Sequence, residues 1–214
     1  MIRLHYLVIS RKVTTILEFG VGKSTVVFNN ALLYNKILHE DFCKNNLRRG
    51  NLFECHSIDN NKDWINSVKK KYDTKHVTIS HSECIVSEFN NRICTFYKKI
   101  PNICPDLIYL DAPDQFSPIG NVRGISTNHI DRLPMSGDIL CFENFLLPGT
   151  LIVVDGRTAN ALFLKNNLQR DWEYYYSEIY DQHFFELNEK PLGPYNKRQL
   201  DFCLGETDVK MYEF

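Results

Sequence analysis

The feature that most constrains the fold is a glycine-containing segment at residues 16–25, Ile-Leu-Glu-Phe-Gly-Val-Gly-Lys-Ser-Thr. An apolar run over 13–17 ends in the acid Glu18, and Gly20 and Gly22 follow directly before an amphipathic stretch. This order predicts a strand, a tight turn and the N-terminus of a helix. Glycines in such a turn let a ligand approach the backbone, and the first helical N–H groups attract a negatively charged group.

The composition excludes several classes of protein. The 214 residues are 43% hydrophobic and carry a formal net charge of −1, which fits a single domain over 1–214. The near-neutral charge gives no strong signal for nucleic-acid binding. No apolar run approaches the ~20 residues of a membrane-spanning helix, and the first residues lack the pattern of a signal peptide. The seven cysteines form no Cys-x-x-Cys pair, which favours reduced thiols and a cytoplasmic location.

Strand-like and helix-like segments alternate along the chain. The pattern predicts strands at 13–18, 51–58, 76–80, 106–110 and 150–154, and helices at 24–39, 62–72, 83–98, 136–147 and 158–170. Residues 172–187 predict a closing hairpin that turns at Asp181 and Gln182, and residues 112–134 predict a long loop. Strands separated by helices form parallel sheets through right-handed crossovers. We therefore expect a Rossmann-like, three-layer α/β fold with about seven strands in a mostly parallel twisted sheet.

Four of the predicted strands end in a carboxylate. Glu18, Asp59, Asp111 and Asp155 follow the first, second, fourth and fifth strands. Ligands of open α/β sheets bind at the carboxyl ends of the strands, so we expect these four acids to line one crevice. Any one of these acids taken alone is most simply explained as a loop acid or a helix cap. The presence of an acid at the end of four strands is what favours a binding site.

Three alternatives remain for the glycine turn from its residues alone. The stretch 22–25, Gly-Lys-Ser-Thr, is similar to the end of a P-loop, but the first P-loop glycine would fall on Leu17 and Glu18 would lie near the phosphates. A dinucleotide-binding turn needs a third glycine where Thr25 stands. A turn with a purely structural role is the third alternative.

Residues 18–25, Glu-Phe-Gly-Val-Gly-Lys-Ser-Thr, resemble motif I of the class I S-adenosylmethionine-dependent methyltransferases in the variant E-F-G-x-G-x-S-T. Residues 106–113 are similar to motif IV, which faces the methyl donor and the acceptor. Residues 148–155 resemble the P-G-G turn and fifth strand, with Thr150 in place of the second glycine. The segment 77–83 is similar in placement to the adenine-side segment, and the final strand pair resembles the closing hairpin of the family.

The resemblance implies a site for S-adenosyl-L-methionine. Asp59 would bind the ribose hydroxyls, and Ser24 and Thr25 would hold the carboxylate of the cofactor at the helix start. Glu18 would lie close to its ammonium group. The other cofactor-binding residues that the resemblance implies are Phe19, Gly20, Gly22, Asn60, Ser82, Glu83 and Asp111.

The candidate catalytic residues are acids and a histidine. A general base is needed when the methyl acceptor is a hydroxyl or a protonated amine. Asp111 is the first candidate for that base, and His129 in the long loop is the second. Asp155 would pair with Asp111 around Mg²⁺ in a catechol-type site, but Gly156 and Arg157 follow it where those enzymes place a further ligand, so no metal ligand is assigned. The alternatives for Asp155 are an ion pair with Arg157 or a helix cap.

The acceptor is the least constrained part of the prediction. Residues 111–113, Asp-Ala-Pro, and 155–157, Asp-Gly-Arg, loosely resemble plant glucuronoxylan methyltransferases, which implies O-methylation of a small-molecule or saccharide hydroxyl. The closing hairpin carries an aromatic cluster that would offer a sugar-stacking surface: Trp172, Tyr174, Tyr175, Tyr176 and Tyr180. Alternating exposure along the hairpin, or the edge of a homodimer, is the alternative that the pattern favours. About a dozen residues precede the first strand, so we expect the loop 112–134, the tail or a second subunit to cover the cofactor. A catalytically weak cofactor-binding or interaction module of the same fold is the alternative function.

Overall fold

The computed structural model describes residues 1–74 and 76–205. Its helices are α1 (Ile2–Ser10), α2 (Lys23–Asn46), α3 (Lys62–Lys71), α4 (Asp138–Phe142), α5 (Thr158–Lys165) and α6 (Gly193–Leu204), with a 3₁₀ turn at Glu143–Phe145. Its strands are β1 (Thr15–Phe19), β2 (Glu54–Asp59), β3 (Val77–His81), β4 (Cys84–Phe89), β5 (Arg92–Tyr97), β6 (Leu107–Leu110), β7 (Leu151–Asp155), β8 (Trp172–Ser177) and β9 (Gln182–Leu187).

Seven strands form the main sheet in the order β3-β2-β1-β6-β7-β9-β8. The first five of these are parallel to one another, and β9 runs antiparallel to both β7 and β8. This confirms the predicted Rossmann-like α/β sheet with its antiparallel closing hairpin. The chain moves outward from β1 to β3 and then returns to place β6 beside β1. The strand order therefore reverses between β1 and β6, and in open α/β sheets this is the place where ligands bind.

Both faces of the sheet are buried, and the side chains of each central strand alternate between two core clusters, one on each face. Ile16, Tyr109 and Val153 share one core cluster with residues of α1 and α2. Leu17 and Ile108 belong to the opposite cluster, together with residues of β4, β5, α4 and α5. The three layers thus hold the central strands rigidly and fix where their carboxyl ends lie.

One predicted element is wrong. Residues 83–98 form the antiparallel hairpin β4–β5 instead of a helix. A two-residue turn joins the strands, and its residues Asn90 and Asn91 have φ of 47° and 61°. Asparagine tolerates this left-handed region, and positive φ at both central residues is typical of a type I′ hairpin turn. The strand propensity of residues such as Ile85, Val86 and Thr95, combined with this turn, outweighs the helical interpretation.

Other segments differ from the sequence prediction in detail. The N-terminal residues form α1, and residues of α1 and α2 pack into the same core cluster. The predicted helix over 136–147 is a short α4 followed by the 3₁₀ turn, and the tail contributes α6. Residues 112–134 are irregular, with isolated bridges at Ile119, Val122 and Ile125. Among residues 1–74 and 76–205, no helix has the length and apolar character needed to cross a bilayer.

Candidate functional site

A cavity of about 580 Å³ lies at the carboxyl ends of β1, β2 and β6. This volume is within the roughly 300–1,000 Å³ typical of small-molecule and cofactor sites. The lining comes from the glycine turn, the first residues of α2, the end of β2, one side of α3 and the segment after β6, together with Met1 and Arg157. The cavity therefore occupies the point where the strand order reverses.

The two glycines of the turn have different roles. Gly20 has φ of +102°, and a Cβ atom there would lie 3.0 Å from the backbone oxygen of Asp111. Glycine is needed at this position both for the backbone conformation and for the close approach to the end of β6. A Cβ atom on Gly22 would meet no atom within 4 Å. Gly22 therefore leaves open space at the wall of the cavity, next to the N-terminus of α2.

Asp59 joins the turn to the end of β2. Its Oδ2 accepts a hydrogen bond from Val21 N at 3.0 Å, and its Oδ1 accepts one from Asn61 N at 2.8 Å. Asp59 also lines the cavity. Each carboxylate oxygen can accept more than one hydrogen bond, so Asp59 both holds the turn and offers acceptors to a ligand.

Glu18 lies behind the turn and does not line the cavity. Its carboxylate is fully buried and accepts hydrogen bonds from Ser24 Oγ at 2.5 Å, Thr25 Oγ1 at 2.6 Å and Ser57 Oγ at 2.5 Å. Burial raises the pKa of Glu18 to about 7, and the three hydroxyl hydrogen bonds oppose this rise. Glu18 thus fastens β1, β2 and the start of α2 together. The expected direct contact between Glu18 and the ammonium group of a ligand does not fit this placement.

Phe19 and Thr25 are buried with Glu18, and they too lie outside the cavity lining. Thr25 Oγ1 accepts a hydrogen bond from Gly22 N at 2.9 Å, so its hydroxyl stabilises the turn. Ser24, in contrast, lines the cavity at the start of α2. Of the two hydroxyl residues predicted to hold a carboxylate, the structure brings one to the cavity.

Asp111 and Arg157 form an ion pair on the far wall of the cavity. Arg157 Nε donates to Asp111 Oδ1 at 3.1 Å, and Arg157 Nη1 donates to the carbonyl oxygen of Pro113 at 2.7 Å. Partial burial raises the pKa of the Asp111 carboxyl, while Arg157 opposes that rise. A half-exposed carboxylate with a raised pKa in a cavity is suited to act as a general base.

Asp155 and His129 do not reach the cavity. Asp155 Oδ2 accepts from Tyr109 Oη at 2.5 Å and its Oδ1 accepts from Gln182 Nε2 at 2.8 Å, so it has neither the expected bond to Arg157 nor a capping bond to α5. His129 is exposed, and its Nδ1 accepts from Asp131 N at 3.2 Å. The two oxygens of Asp155 are thus engaged by Tyr109 and Gln182 outside the cavity lining, whereas Asp111 lines the cavity. The described residues also hold no group of three or more His, Cys, Asp or Glu side chains suited to a metal.

The predicted adenine-side residues Ser82 and Glu83 are engaged by the segment that follows the β4–β5 hairpin. Ser82 is buried, and its Oγ accepts a hydrogen bond from Lys99 N at 2.9 Å. Glu83 forms an ion pair with Lys98 at 2.6 Å on the surface. Neither residue lines the cavity, whereas Asn60 does. The hairpin that replaces the predicted helix is the reason why these two residues lie apart from the site.

Sequence reasoning missed part of the site. The cavity lining includes three side chains of α3 and its C-terminal end, namely Trp64, Val68 and Tyr72. Arg157 reaches the cavity from the segment after β7. An amphipathic pattern places Trp64 on the apolar face of α3, but the structure leaves it 51% exposed. The available signal was the position of α3 directly after Asp59, which puts the start of this helix at the same edge of the sheet.

No protein-family model matches the chain, and no curated protein matches it significantly.

Proposed function

We propose that this protein is an S-adenosylmethionine-dependent methyltransferase that acts on a hydroxyl of a small-molecule or saccharide acceptor. One observation carries the proposal. At the point where the strand order reverses, a single cavity is lined by the open side of Gly22, by the Asp59 carboxylate and by the Asp111 carboxylate. The motif-I-like sequence 18–25 supplies the turn in that cavity.

The residues present suit the three parts of the cofactor. The oxygens of Asp59 accept hydrogen bonds from the ribose hydroxyls, which are charge-assisted and therefore strong. The first amides of α2, at Lys23 and Ser24, have no partner within the helix and bind the carboxylate group. Gly22 leaves room for the chain that connects these two groups.

The bound cofactor supplies a methyl group on a sulfonium ion, which is transferred by in-line displacement. Asp111 takes the proton that leaves the acceptor hydroxyl, and its raised pKa makes it a stronger base than an ordinary aspartate. Arg157 orients Asp111 and fixes the carbonyl of Pro113, in the segment after β6 that lines the cavity. Much of the catalysis then comes from holding the acceptor in line with the sulfonium.

Calorimetric titration with S-adenosylmethionine and S-adenosylhomocysteine tests the cofactor assignment. We expect Asp59→Asn to weaken binding roughly 10- to 100-fold because it removes charge-assisted hydrogen bonds. Asp63→Asn is the matched control, since Asp63 is an exposed acid of α3 outside the cavity lining. Absence of binding by the wild-type protein at millimolar cofactor would overturn the proposal.

An activity assay separates an enzyme from a binding module. Release of S-adenosylhomocysteine is measured with pools of saccharides and small hydroxyl compounds. We expect Asp111→Asn to abolish turnover while it preserves cofactor affinity. Cofactor binding without turnover on any pool would instead support the catalytically weak module.

Nucleotide binding is the second candidate function, because Lys23 lines the cavity at the N-terminus of α2. A thermal-shift comparison of S-adenosylhomocysteine with ATP distinguishes the two. Stabilisation by ATP that is lost in Lys23→Ala would favour this second function.

A further inference from the structure

Part of the cavity lining comes from α3 and its two ends. Its apolar and aromatic members are Trp64, Val68 and Tyr72, and its polar members are Asn61, Ser67 and Lys71. Trp64 is 51% exposed although it is the largest side chain of the lining. A large aromatic surface that is open to a cavity gains free energy when a flat ligand ring covers it.

The orientation of Trp64 is fixed by two hydrogen bonds. Its Nε1 donates to the carbonyl oxygen of Val21 at 2.5 Å, and its backbone N donates to Asn61 Oδ1 at 2.9 Å. The only polar atom of the indole is therefore satisfied by the protein. The part of this side chain that remains open to a ligand is the apolar ring, which favours stacking.

Trp64 and Asp59 hold the same residue of the glycine turn. Asp59 Oδ2 accepts from Val21 N, and Trp64 Nε1 donates to Val21 O. The ribose acceptor and the indole are thus separated by one residue of the turn. This spacing suits the sugar and the base of one nucleoside.

On the β3 side of Asp59, the two residues predicted near the adenine are engaged by the segment that follows β5. Ser82 is buried against Lys99, and Glu83 is paired with Lys98 on the surface. The cavity extends along α3 instead.

From these contacts we propose that Trp64 is the stacking platform for the purine ring of an adenosine-containing ligand. The inference rests on the proposed function and names the base subsite of that same cavity. It places the base on α3, away from the segment 77–83 that the family resemblance implies. Base–aromatic stacking predicts that loss of the Trp64 ring weakens binding roughly 5- to 150-fold.

The fluorescence of Trp64 provides the experiment. The chain has two tryptophans, so Trp172→Phe leaves Trp64 as the sole indole. This variant is titrated with adenosine and with S-adenosylhomocysteine while the indole emission is recorded. We expect saturable quenching by both ligands. Calorimetry on Trp172→Phe is the control, because its affinity for S-adenosylhomocysteine should equal that of the wild type.

Two substitutions separate the effect of stacking from that of the hydrogen bond between Trp64 and Val21 of the glycine turn. Trp64→Phe keeps an aromatic face but loses the bond to Val21, whereas Trp64→Leu loses both. Affinity for adenosine and S-adenosylhomocysteine is measured by calorimetry for each. We expect Trp64→Phe to keep most of the affinity and Trp64→Leu to lose it. Equal losses in the two variants would overturn the platform and leave the Val21 bond as the cause. Thermal unfolding checks that each variant is folded. The quenching titration keeps Trp64 itself, so it tests the platform even if these two variants do not fold.

The outcomes distinguish this inference from the proposed function. Quenching by adenosine without any binding of S-adenosylhomocysteine overturns the methyltransferase proposal and supports the base subsite. Calorimetric binding of S-adenosylhomocysteine with unchanged Trp64 emission, or with full affinity in Trp64→Leu, overturns the base subsite alone. Absence of binding by both ligands overturns both.

Discussion

Strand β6 carries an aspartate at each end, and the two differ completely in their surroundings. Asp106 precedes the strand, and its carboxylate is paired with Arg49 at 2.6 Å, with both side chains less than 10% exposed. It also accepts hydrogen bonds from Thr14 N, Thr14 Oγ1, Thr15 N and Gln199 Nε2. Asp111 follows the strand and is paired with Arg157 at 3.1 Å, with its side chain 48% exposed.

The free space at the two ends differs in the same way. The cavity beside Asp106 has a volume of about 10 Å³, whereas the cavity beside Asp111 has about 580 Å³. A buried carboxylate whose oxygens are all occupied by the protein serves stability. A carboxylate that keeps free acceptor capacity in a large cavity is available to a ligand. The amino end of the sheet is therefore a structural anchor, and the carboxyl end carries the candidate site.

The largest expected effect tests the anchor. Asp106→Asn removes the charge that compensates Arg49, and breaking a buried pair costs about 3–5 kcal/mol of unfolding free energy. Asp111→Asn, at the exposed end, should change it by less than about 1 kcal/mol. Urea denaturation with an unchanged m-value measures both. Equal losses in the two variants would contradict the division into anchor and site.

The second prediction concerns pH and Glu18. Burial raises the pKa of Glu18 from 4.5 to about 7, so the folded protein binds this proton more tightly than the unfolded chain does. The unfolding free energy should therefore fall as pH rises from about 4.5 to about 7, by at most about 1.4 kcal/mol per pH unit from this group. Burial also raises the pKa of Asp138 to about 7, which adds a slope of the same sign.

Glu18→Gln isolates the contribution of Glu18. We expect a shallower dependence of the urea midpoint on pH in this variant, with the remaining slope due to groups such as Asp138. An identical slope in the wild type and in Glu18→Gln would show that Glu18 does not titrate in this range.

The third prediction compares the two glycines of the turn. Gly20→Ala forces a side chain into a left-handed conformation and against the backbone of Asp111, which should cost about 1–3 kcal/mol. Gly22→Ala meets no neighbour within 4 Å and should leave the unfolding free energy within about 1 kcal/mol. The added methyl group of Gly22→Ala enters the cavity, so we expect it to weaken ligand binding in calorimetry. Normal affinity in Gly22→Ala would place the ligand elsewhere.

The smallest effect on stability is expected at Arg157. Because this pair is partly exposed, Arg157→Gln should cost less than about 1 kcal/mol. Arg157 opposes the rise in the pKa of Asp111, so its removal should raise that pKa further. Titration of the Asp111 carboxyl by NMR measures the shift. Arg132→Gln, in the exposed loop, is the matched control and should leave the titration unchanged.

Much of the fold could be predicted because its signals are local. The turn at residues 16–25 and the alternation of strands and helices need only neighbouring residues to be recognised. The β4–β5 hairpin is harder to predict, because short apolar segments suit a helix or a strand and the Asn90–Asn91 turn decides between them. For the cavity, the sequence predicts only the edge of the sheet where it lies, because four predicted strands end there in an acid.

The candidate site was predictable only in part, because partners decide what an acid does. Asp111 and Asp155 both end parallel strands, and sequence alone gives them the same environment. In the structure, Tyr109 and Gln182 occupy the carboxylate of Asp155, while Asp111 keeps an exposed side. Trp64 shows the same limit. The helical pattern places it on the apolar face of α3, but only the structure shows that it is 51% exposed beside the cavity.

The sequence by itself determined the α/β architecture and the position of the glycine turn, because hydrophobic period and glycine conformation act over a few residues. The tertiary structure alone decided which carboxylates are open and which are occupied. Residues such as Gln182, Ser57 and Arg157 lie 27 to 46 positions from the acids that they contact. Only the packing of the sheet brings them together, and it therefore separates an acid that is buried behind the turn, such as Glu18, from one that lines the cavity, such as Asp59.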